Sequence, residues 1–226
     1  MCGRYNIITD AQALYDAYQV EAGLTEGRLA RYNVAPATDQ LVIVAEDGRR
    51  AAPWHRWGLI PHWAKDQAIG YKTINARGES VAVKPAFRAA FRQRRCLVPA
   101  SGFYEWQVQD GGKQPYLIRP RSGGLISFAG LWENWAGPAG EVRSFTIITT
   151  EPNELMERIH DRMPVIIPSE DHARWLDPAL QDPAQIQTMI TRYPAAELQA
   201  VPIGRQINNA RNQGPELIAP AGAPLA

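Results

Sequence analysis

The second residue carries the sharpest chemical signal in this chain of 226 residues, which opens Met1-Cys2-Gly3-Arg4-Tyr5. A small side chain after Met1 lets methionine aminopeptidase remove it, which leaves Cys2 with a free α-amine beside its thiol. The α-amine has an ordinary pKa of about 7.7–8.0 and the thiol about 8.5, so both are partly deprotonated near neutrality. A neutral amine condenses with an aldehyde to a Schiff base. The neighbouring thiolate can then close on the imine carbon to give a five-membered thiazolidine. A Cys inside a chain cannot do this, because its nitrogen is held in a peptide bond. Taken alone, the dipeptide is better explained as a second-position Cys with no role.

Such chemistry needs proton carriers. Glu105 sits in Ser101-Gly102-Phe103-Tyr104-Glu105-Trp106, where strand alternation puts it on the face of Phe103 and Gln107. A carboxylate among large apolar groups is pushed toward a neutral pKa, which suits proton transfer; a solvated strand Glu fits the sequence equally well. His160 lies in Ile159-His160-Asp161-Arg162-Met163-Pro164, between a short helical stretch and an apolar strand. A structural hydrogen bond is the commoner role for such a His, but Arg162 nearby could hold an anion. Asn75-Ala76-Arg77-Gly78-Glu79 offers an amide able to orient a nucleophile and a guanidinium suited to phosphate. Between Glu79 and Glu105 no acidic residue occurs, yet Lys84, Arg88, Arg92, Arg94 and Arg95 do. A solvated helix face and a phosphate-tracking surface explain that window equally well. Trp54, Trp57, Trp63 and His62 surround a loop; core packing is the default for each ring, and a wedge against bases is the alternative.

The elements that must place these groups are short strands and a few helices. Thr9 and Gln12 have capping-box spacing, and Ala11, Leu14, Tyr15 and Tyr18 predict a helix over 10–19. Leu41 to Ala45 reads as a strand closed by Glu46-Asp47-Gly48, and Pro85 opens a helix over 85–94. From Cys96 to Thr150 the pattern is an antiparallel meander with strands near 102–108, 115–119, 125–132 and 142–150, separated by Gly-rich turns. A strand follows at 163–167, then a helix capped by Ser169 and another from Asp182 to about Arg192. The tail from Pro220 is Pro/Ala/Gly-rich and is expected to fray. The fold class is α+β: a single domain, 1–226, with a curved, mostly antiparallel, barrel-like sheet flanked by a few helices.

Composition narrows the function classes. Lys plus Arg is 24 and Asp plus Glu is 23, so no global charge announces a polyanion and any such site must be local. Two cysteines, Cys2 and Cys96, make no disulfide framework. The start has no secretory pattern and no stretch reaches the roughly 18 apolar residues of a membrane span, so a cytoplasmic protein with reduced thiols is expected. The spacing of Cys and His fits no zinc site, and no Gly-rich phosphate loop occurs. Neither metal nor cofactor is expected.

Seven ordered segments fit a known pattern: Met1 to Tyr5, Arg31-Tyr32-Asn33-Val34-Ala35-Pro36, Trp57-Gly58-Leu59-Ile60-Pro61, Asn75 to Glu79, Arg95 to Trp106, Phe145 to Thr150 and Ile159 to Pro164. With them the chain resembles the SRAP family, the SOS-response-associated peptidases, which are abasic-site-processing proteins. The closing Ile207-Asn208-Asn209 and Gly214-Pro215-Glu216-Leu217-Ile218 also look like that family. The resemblance implies covalent capture of abasic sites in single-stranded DNA by a monomer, nucleoid-associated when bound, with Schiff-base lyase chemistry as a side path and self-removal of Met1. By matching position it makes Cys2 the nucleophile through amine and thiol. It has Asn75 orient that nucleophile, Glu105 shuttle protons and His160 help open the deoxyribose, with Thr149 as a supporting neighbour. It gives Arg4, Arg77 and Arg162 to phosphates. Gly78 departs from the Ala or Val common there. Two other readings compete: an N-terminal-nucleophile cysteine hydrolase acting on peptides or glutamine, and a non-enzymatic single-strand binding module.

Overall fold

The computed structural model describes residues 2–20, 28–46, 48–138 and 140–225. Met1, Asp47 and Ala139, which the sequence reading used for a cleavage and two turns, lie outside the described residues, as does Ala226. In chain order the strands are β1 (Tyr5–Asp10), β2 (Arg28–Val34), β3 (Asp39–Leu41), β4 (Val44–Glu46), β5 (Arg49–Ala51), β6 (Trp54–Trp57) and β7 (Asn75–Arg77). They continue with β8 (Arg95–Ala100), β9 (Gly102–Gln109), β10 (Gly112–Pro120), β11 (Ile126–Gly137), β12 (Gly140–Thr150), β13 (Met163–Pro164) and β14 (Leu198–Pro202). The helices are α1 (Ala11–Tyr18), α2 (Arg88–Gln93), α3 (His172–Leu176) and α4 (Pro183–Gln187).

Two curled sheets face each other. The first has the order β14-β10-β9-β1-β2 and is antiparallel throughout. The second runs β3-β6-β12-β11-β8, with β7 and β13 also pairing with β12; β6 and β7 are parallel to β12. Ser101 turns the chain from β8 in one sheet to β9 in the other. Its hydroxyl accepts the Ile8 N–H and its own N–H donates to the Asn6 carbonyl, which closes that corner.

Side-chain alternation sorts the apolar residues into layers. Tyr5, Ile7, Phe103 and Ile118 from the first sheet meet Trp57, Cys96, Val98, Phe128, Phe145 and Ile147 from the second in an inner core. Edge-on ring contacts stitch it across the sheets: Tyr5–Trp57 at 5.3 Å and Phe103–Phe128 at 5.9 Å. The residues between them, Leu97, Ala129 and Ile148, face outward under α1 to α4 with Leu14, Phe91, Trp175 and Ile186. Tyr104, Leu117, Ile203, Ile207 and Leu217 form a smaller outer cluster beneath the C-terminal segment.

The α+β class with its curved, mostly antiparallel sheet holds, and several local expectations change. The stretch after Cys96 is not one meander, because β9–β10 and β11–β12 are hairpins of different sheets. Gly123 and Gly124, at φ of 76° and 81°, carry the chain between them in a conformation glycine adopts without strain. Asp10, not Thr9, caps α1 by accepting the Ala13 N–H at 2.8 Å, since the helix begins at Ala11 and Asp10 is the residue directly before it. Ser169 caps nothing: a short 3-10 turn precedes α3. Helix α2 starts at Arg88 rather than Pro85, and α4 ends at Gln187, where β-branched Thr188, Ile190 and Thr191 follow. The tail expected to fray is paired with β14 instead: Ala221 and Leu225 donate N–H groups to the Pro202 and Ala200 carbonyls.

Candidate functional site

Cys2 enters the inner core just before β1 and has no exposed surface. The Arg4 carbonyl accepts the Tyr104 N–H at 3.0 Å, and Tyr5 lies opposite Phe103, so the start of the chain is laid along β9 beside Glu105. Burial raises the thiol pKa, the Glu105 charge raises it further, and an N–H of Arg4 opposes them weakly. The thiol is therefore protonated at rest and needs a base to react.

Glu105 is that candidate base. It is 2% exposed, and burial pushes its carboxyl up to about 7. Its Oε2 stands 3.8 Å from Nε2 of His160, while Nδ1 of His160 accepts the main-chain N–H of Arg162 at 3.0 Å. Asp161 Oδ1 also lies 2.9 Å from Nδ1, which would favour a proton there. The two contacts disagree about the tautomer. The fixed backbone donor outweighs a carboxylate that is 85% exposed and free to rotate. Burial also lowers the His160 pKa, which favours the neutral ring, and the Arg162 contact on Nδ1 favours the tautomer with its proton on Nε2, facing Glu105. A cavity of about 380 Å³ lined by Glu105, Trp106, Lys113, His160 and Asn208 gives this pair access to solvent.

A second cavity, of about 300 Å³, is lined among others by Lys72, Asn75, Arg77, Lys84, Thr149 and Arg162. Asn75 and Arg77 sit opposite Ile147 and Thr149 in the parallel β7–β12 pair. The Asn75 amide donates to the Ile147 carbonyl at 3.4 Å, and its buried Oδ1 has no hydrogen-bond partner among the described residues. Arg162 joins the two cavities, with its main chain on His160 and its side chain on Thr149.

The three arginines expected at phosphates differ sharply. Arg77 is exposed and its guanidinium makes no hydrogen bond or ion pair among the described residues. Arg162 is buried and forks onto Glu79 at 2.7 and 3.0 Å, so its phosphate face is already filled by a carboxylate. Arg4 is spent on Asn33 Oδ1 at 2.6 Å and the Ile207 carbonyl at 3.0 Å, and so anchors the C-terminal segment. The basic window divides in the same way. Lys84, Arg88 and Arg92 are exposed. Arg94 pairs with Glu133, and Arg95 is buried with its guanidinium on four main-chain carbonyls. Trp57 belongs to the core, Trp54 lies under Arg31, and Trp63 is exposed.

The family model of SOS response associated peptidase (SRAP) matches residues 1–210. The chain belongs to this family. Among similar proteins, abasic site processing protein YoqW of Bacillus subtilis is 42% identical over 96% of this chain and 99% of its own length. Abasic site processing protein HMCES of Xenopus tropicalis is 32% identical over 83% of this chain and 65% of its own length. A crystal structure of a Bacteroides thetaiotaomicron protein superposes with a TM-score of 0.85 at 26% identity, covering 97% of this chain and all of that one. A phage-related protein from Bordetella bronchiseptica gives 0.71 at 29%, covering 89% and 94%.

In this SRAP chain Gly78 has a packing reason: a Cβ there would come within 2.6 Å of the Ile190 side chain and 3.2 Å of the Thr149 carbonyl. Sequence reasoning missed Lys113, Trp106 and Asn208 as cavity walls. Trp106 is held by its indole N–H on Asn208 Oδ1 at 2.7 Å, across a separation in sequence that no local pattern reveals. Glu79 was visible only as part of a motif. No group of three or more His, Cys, Asp or Glu is placed to hold a metal ion among the described residues. No helix among them is long and apolar enough to cross a membrane.

Proposed function

We propose that this protein captures abasic sites in single-stranded DNA as a thiazolidine on Cys2, acting in the cytoplasm in the response to DNA damage. The observation that carries the reading is Cys2 buried beside Glu105, whose carboxyl lies near 7, with His160 3.8 Å beyond it. The names of the YoqW and HMCES relatives support the substrate class.

The chemistry starts once the residue before Cys2 has been removed, a step this reading gives to the same site. An abasic sugar is mainly a closed hemiacetal, so its ring oxygen must gain a proton before the aldehyde appears. The His160 and Glu105 pair supplies that proton. The Cys2 amine adds to the aldehyde carbon, and the carbinolamine loses water to give an imine. The thiol then adds to the imine carbon, its proton passing through Glu105 to the nitrogen, so the ring closes without any oxidant. While the imine persists, the adjacent carbon is acidified, and β-elimination of the 3′ phosphate gives the lyase side reaction. Single-stranded DNA presents the sugar without unpairing. Arg77, Lys72 and Lys84 offer the nearest unpaired cations for its phosphates.

Intact mass of the purified protein mixed with an abasic oligonucleotide tests the reading. A stable adduct equal to the sum of the processed protein and the strand, less one water, is expected. Turnover of glutamine or peptides with no adduct would replace this reading by the hydrolase. Equal binding of abasic and undamaged strands without a covalent product would replace it by the binding module.

A further inference from the structure

Arg162 has a divided role. Its main-chain N–H holds Nδ1 of His160. Its guanidinium is held by both carboxylate oxygens of Glu79, at 2.7 and 3.0 Å, and by the Thr149 carbonyl at 2.7 Å. Glu79 sits in the turn after β7, whose backbone is fixed by the Gly78 N–H on the Thr149 carbonyl and by the Gln187 amide on the Gly78 carbonyl. The Glu79 side chain is half exposed while Arg162 is buried, so an anchored surface carboxylate compensates a cation inside the protein. The Arg162 guanidinium in turn holds the Glu79 carboxyl below the usual carboxylate range.

We infer that Glu79 is a positioning residue for His160: by clamping Arg162 it keeps the Arg162 N–H on Nδ1 and therefore the imidazole proton on Nε2, toward Glu105. The inference rests on the proposed function for its consequence, since only there does His160 move a proton. Among the described residues, the charged groups facing His160 are Glu105 from β9, Lys113 from β10 and Asp161 beside it. Asp161 is the competitor. Its carboxylate lies 2.9 Å from the same nitrogen that Arg162 holds, and it favours a proton on Nδ1. A neutral imidazole has one proton to place, so whichever partner holds Nδ1 decides what faces Glu105. The Glu79 clamp decides for Arg162. With the clamp released, residues 161–162 can turn, the proton moves to Nδ1 and Nδ1–H donates to the Asp161 carboxylate.

Nitrogen NMR of ¹⁵N-histidine-labelled full-length protein reads the tautomer directly, with the His160 signals assigned by their loss in His160→Gln. The wild type should show Nδ1 bare and Nε2 protonated. Glu79→Gln should move the proton toward Nδ1 and slow single-turnover adduct formation about 10-fold, short of the 10²–10⁴-fold of deleting a general acid. Glu79→Asp, which keeps the charge, should recover most of both. Adding Asp161→Asn to Glu79→Gln removes the competitor and should restore the tautomer. An unchanged His160 tautomer in Glu79→Gln overturns the inference, whether the variant merely melts earlier or binds strands more tightly through a freed Arg162. If Glu79→Gln fails to fold, the Glu79→Asp spectrum and the Asp161→Asn single variant, which should sharpen the Nε2–H state, decide instead. The NMR arm needs no DNA. A wild type that forms no adduct would sink the proposed function and leave the tautomer result standing or falling by itself.

Discussion

Glu105 Oε2 and His160 Nε2 stand 3.8 Å apart, too far for a firm hydrogen bond and close enough for one proton to be traded once a substrate atom or a water enters between them. Burial inverts their ordinary order, the carboxyl rising to about 7 and the imidazole falling below its usual value. Near neutrality Glu105 is thus divided between its two forms, and can give a proton to a leaving water and take one from the Cys2 thiol. Glu105→Gln should lower single-turnover adduct formation by about 10²–10⁴-fold and abolish the inflection near pH 7 in its rate profile. Should Glu105→Gln keep that inflection, the titrating group is the Cys2 amine or another residue.

His160 is expected at an earlier step. His160→Ala should slow capture of a closed abasic sugar, and the defect should shrink on a substrate that already presents a free aldehyde. The Glu105→Gln defect should persist on both. Parallel single-turnover rates on the two substrates separate the steps. Equal defects for both variants on both substrates would mean that the pair acts as one unit.

Cys2→Ala retains an α-amine after processing but loses the ring-closing thiol. It should form a Schiff base that decays on dilution and survives only when trapped by borohydride, as read by denaturing gels with and without the reductant. Stable cross-links from Cys2→Ala without reductant would rule out the thiazolidine. Cys96 lies in the same core with its thiol pKa raised by burial alone, so Cys96→Ala should cross-link normally.

The fold brings together Cys2, Glu105 and His160, which the sequence singles out as able to do chemistry, but their neighbourhoods were not legible. Cys2, Glu105 and His160 could be picked out because each sits in a distinctive local string, and strand alternation put Glu105 on the inward face with Phe103, where the inner core lies. The arginines are harder to tell apart, because a guanidinium reads the same whether its partner is a phosphate or, as for Arg162 here, the carboxylate of a residue 83 positions away. Arg4 is tied to the backbone of residue 207, which no periodicity connects to the amino end. The hairpins were found from their turns, but which sheet each joined depended on the Gly123-Gly124 crossing, whose direction the dipeptide does not encode.

Those placements give the arginines opposite phenotypes. Arg77→Ala removes an exposed, unpaired cation, so it should leave the melting temperature nearly unchanged and lower the log–log salt slope of single-strand binding by roughly 0.7. Arg162→Ala empties a buried guanidinium site and leaves the Thr149 carbonyl with fewer donors, at a cost of about 1–3 kcal/mol in stability. Arg4→Ala should loosen the C-terminal segment to a similar extent. Salt-dependent binding and denaturant midpoints on the three variants check this. The reversed pattern, with Arg77 structural and Arg162 purely electrostatic, would show that Arg162 leaves Glu79 to meet the strand.

His55 is a buried imidazole that disfavours the folded state in acid. It has no exposed surface, its ring stands edge-on to Trp132 at 5.5 Å, and neither ring nitrogen has a hydrogen-bond partner among the described residues. Burial lowers its pKa to about 4, the Arg143 charge pushes the same way, and the nearby Trp54 and Pro53 carbonyls offset this only in part. The unfolded chain takes up that proton near pH 6.5, whereas the folded one refuses it until about 4. Within this window the unfolded state binds more protons at this site, so the stability that depends on a neutral His55 is complete above pH 6.5 and falls as the pH drops toward 4. A shift of this size corresponds to about 3 kcal/mol at most. His160 and His172, whose pKa values burial also lowers, add to the slope in the same direction, whereas Glu105, whose carboxyl burial raises to about 7, opposes it. His55→Phe keeps a ring against Trp132 and removes the titration. On acidification from pH 7 to pH 4.5 its urea midpoint should lose less, or gain more, than that of the wild type, and the same change in both proteins would assign the acid response to His160, His172 or the carboxylates.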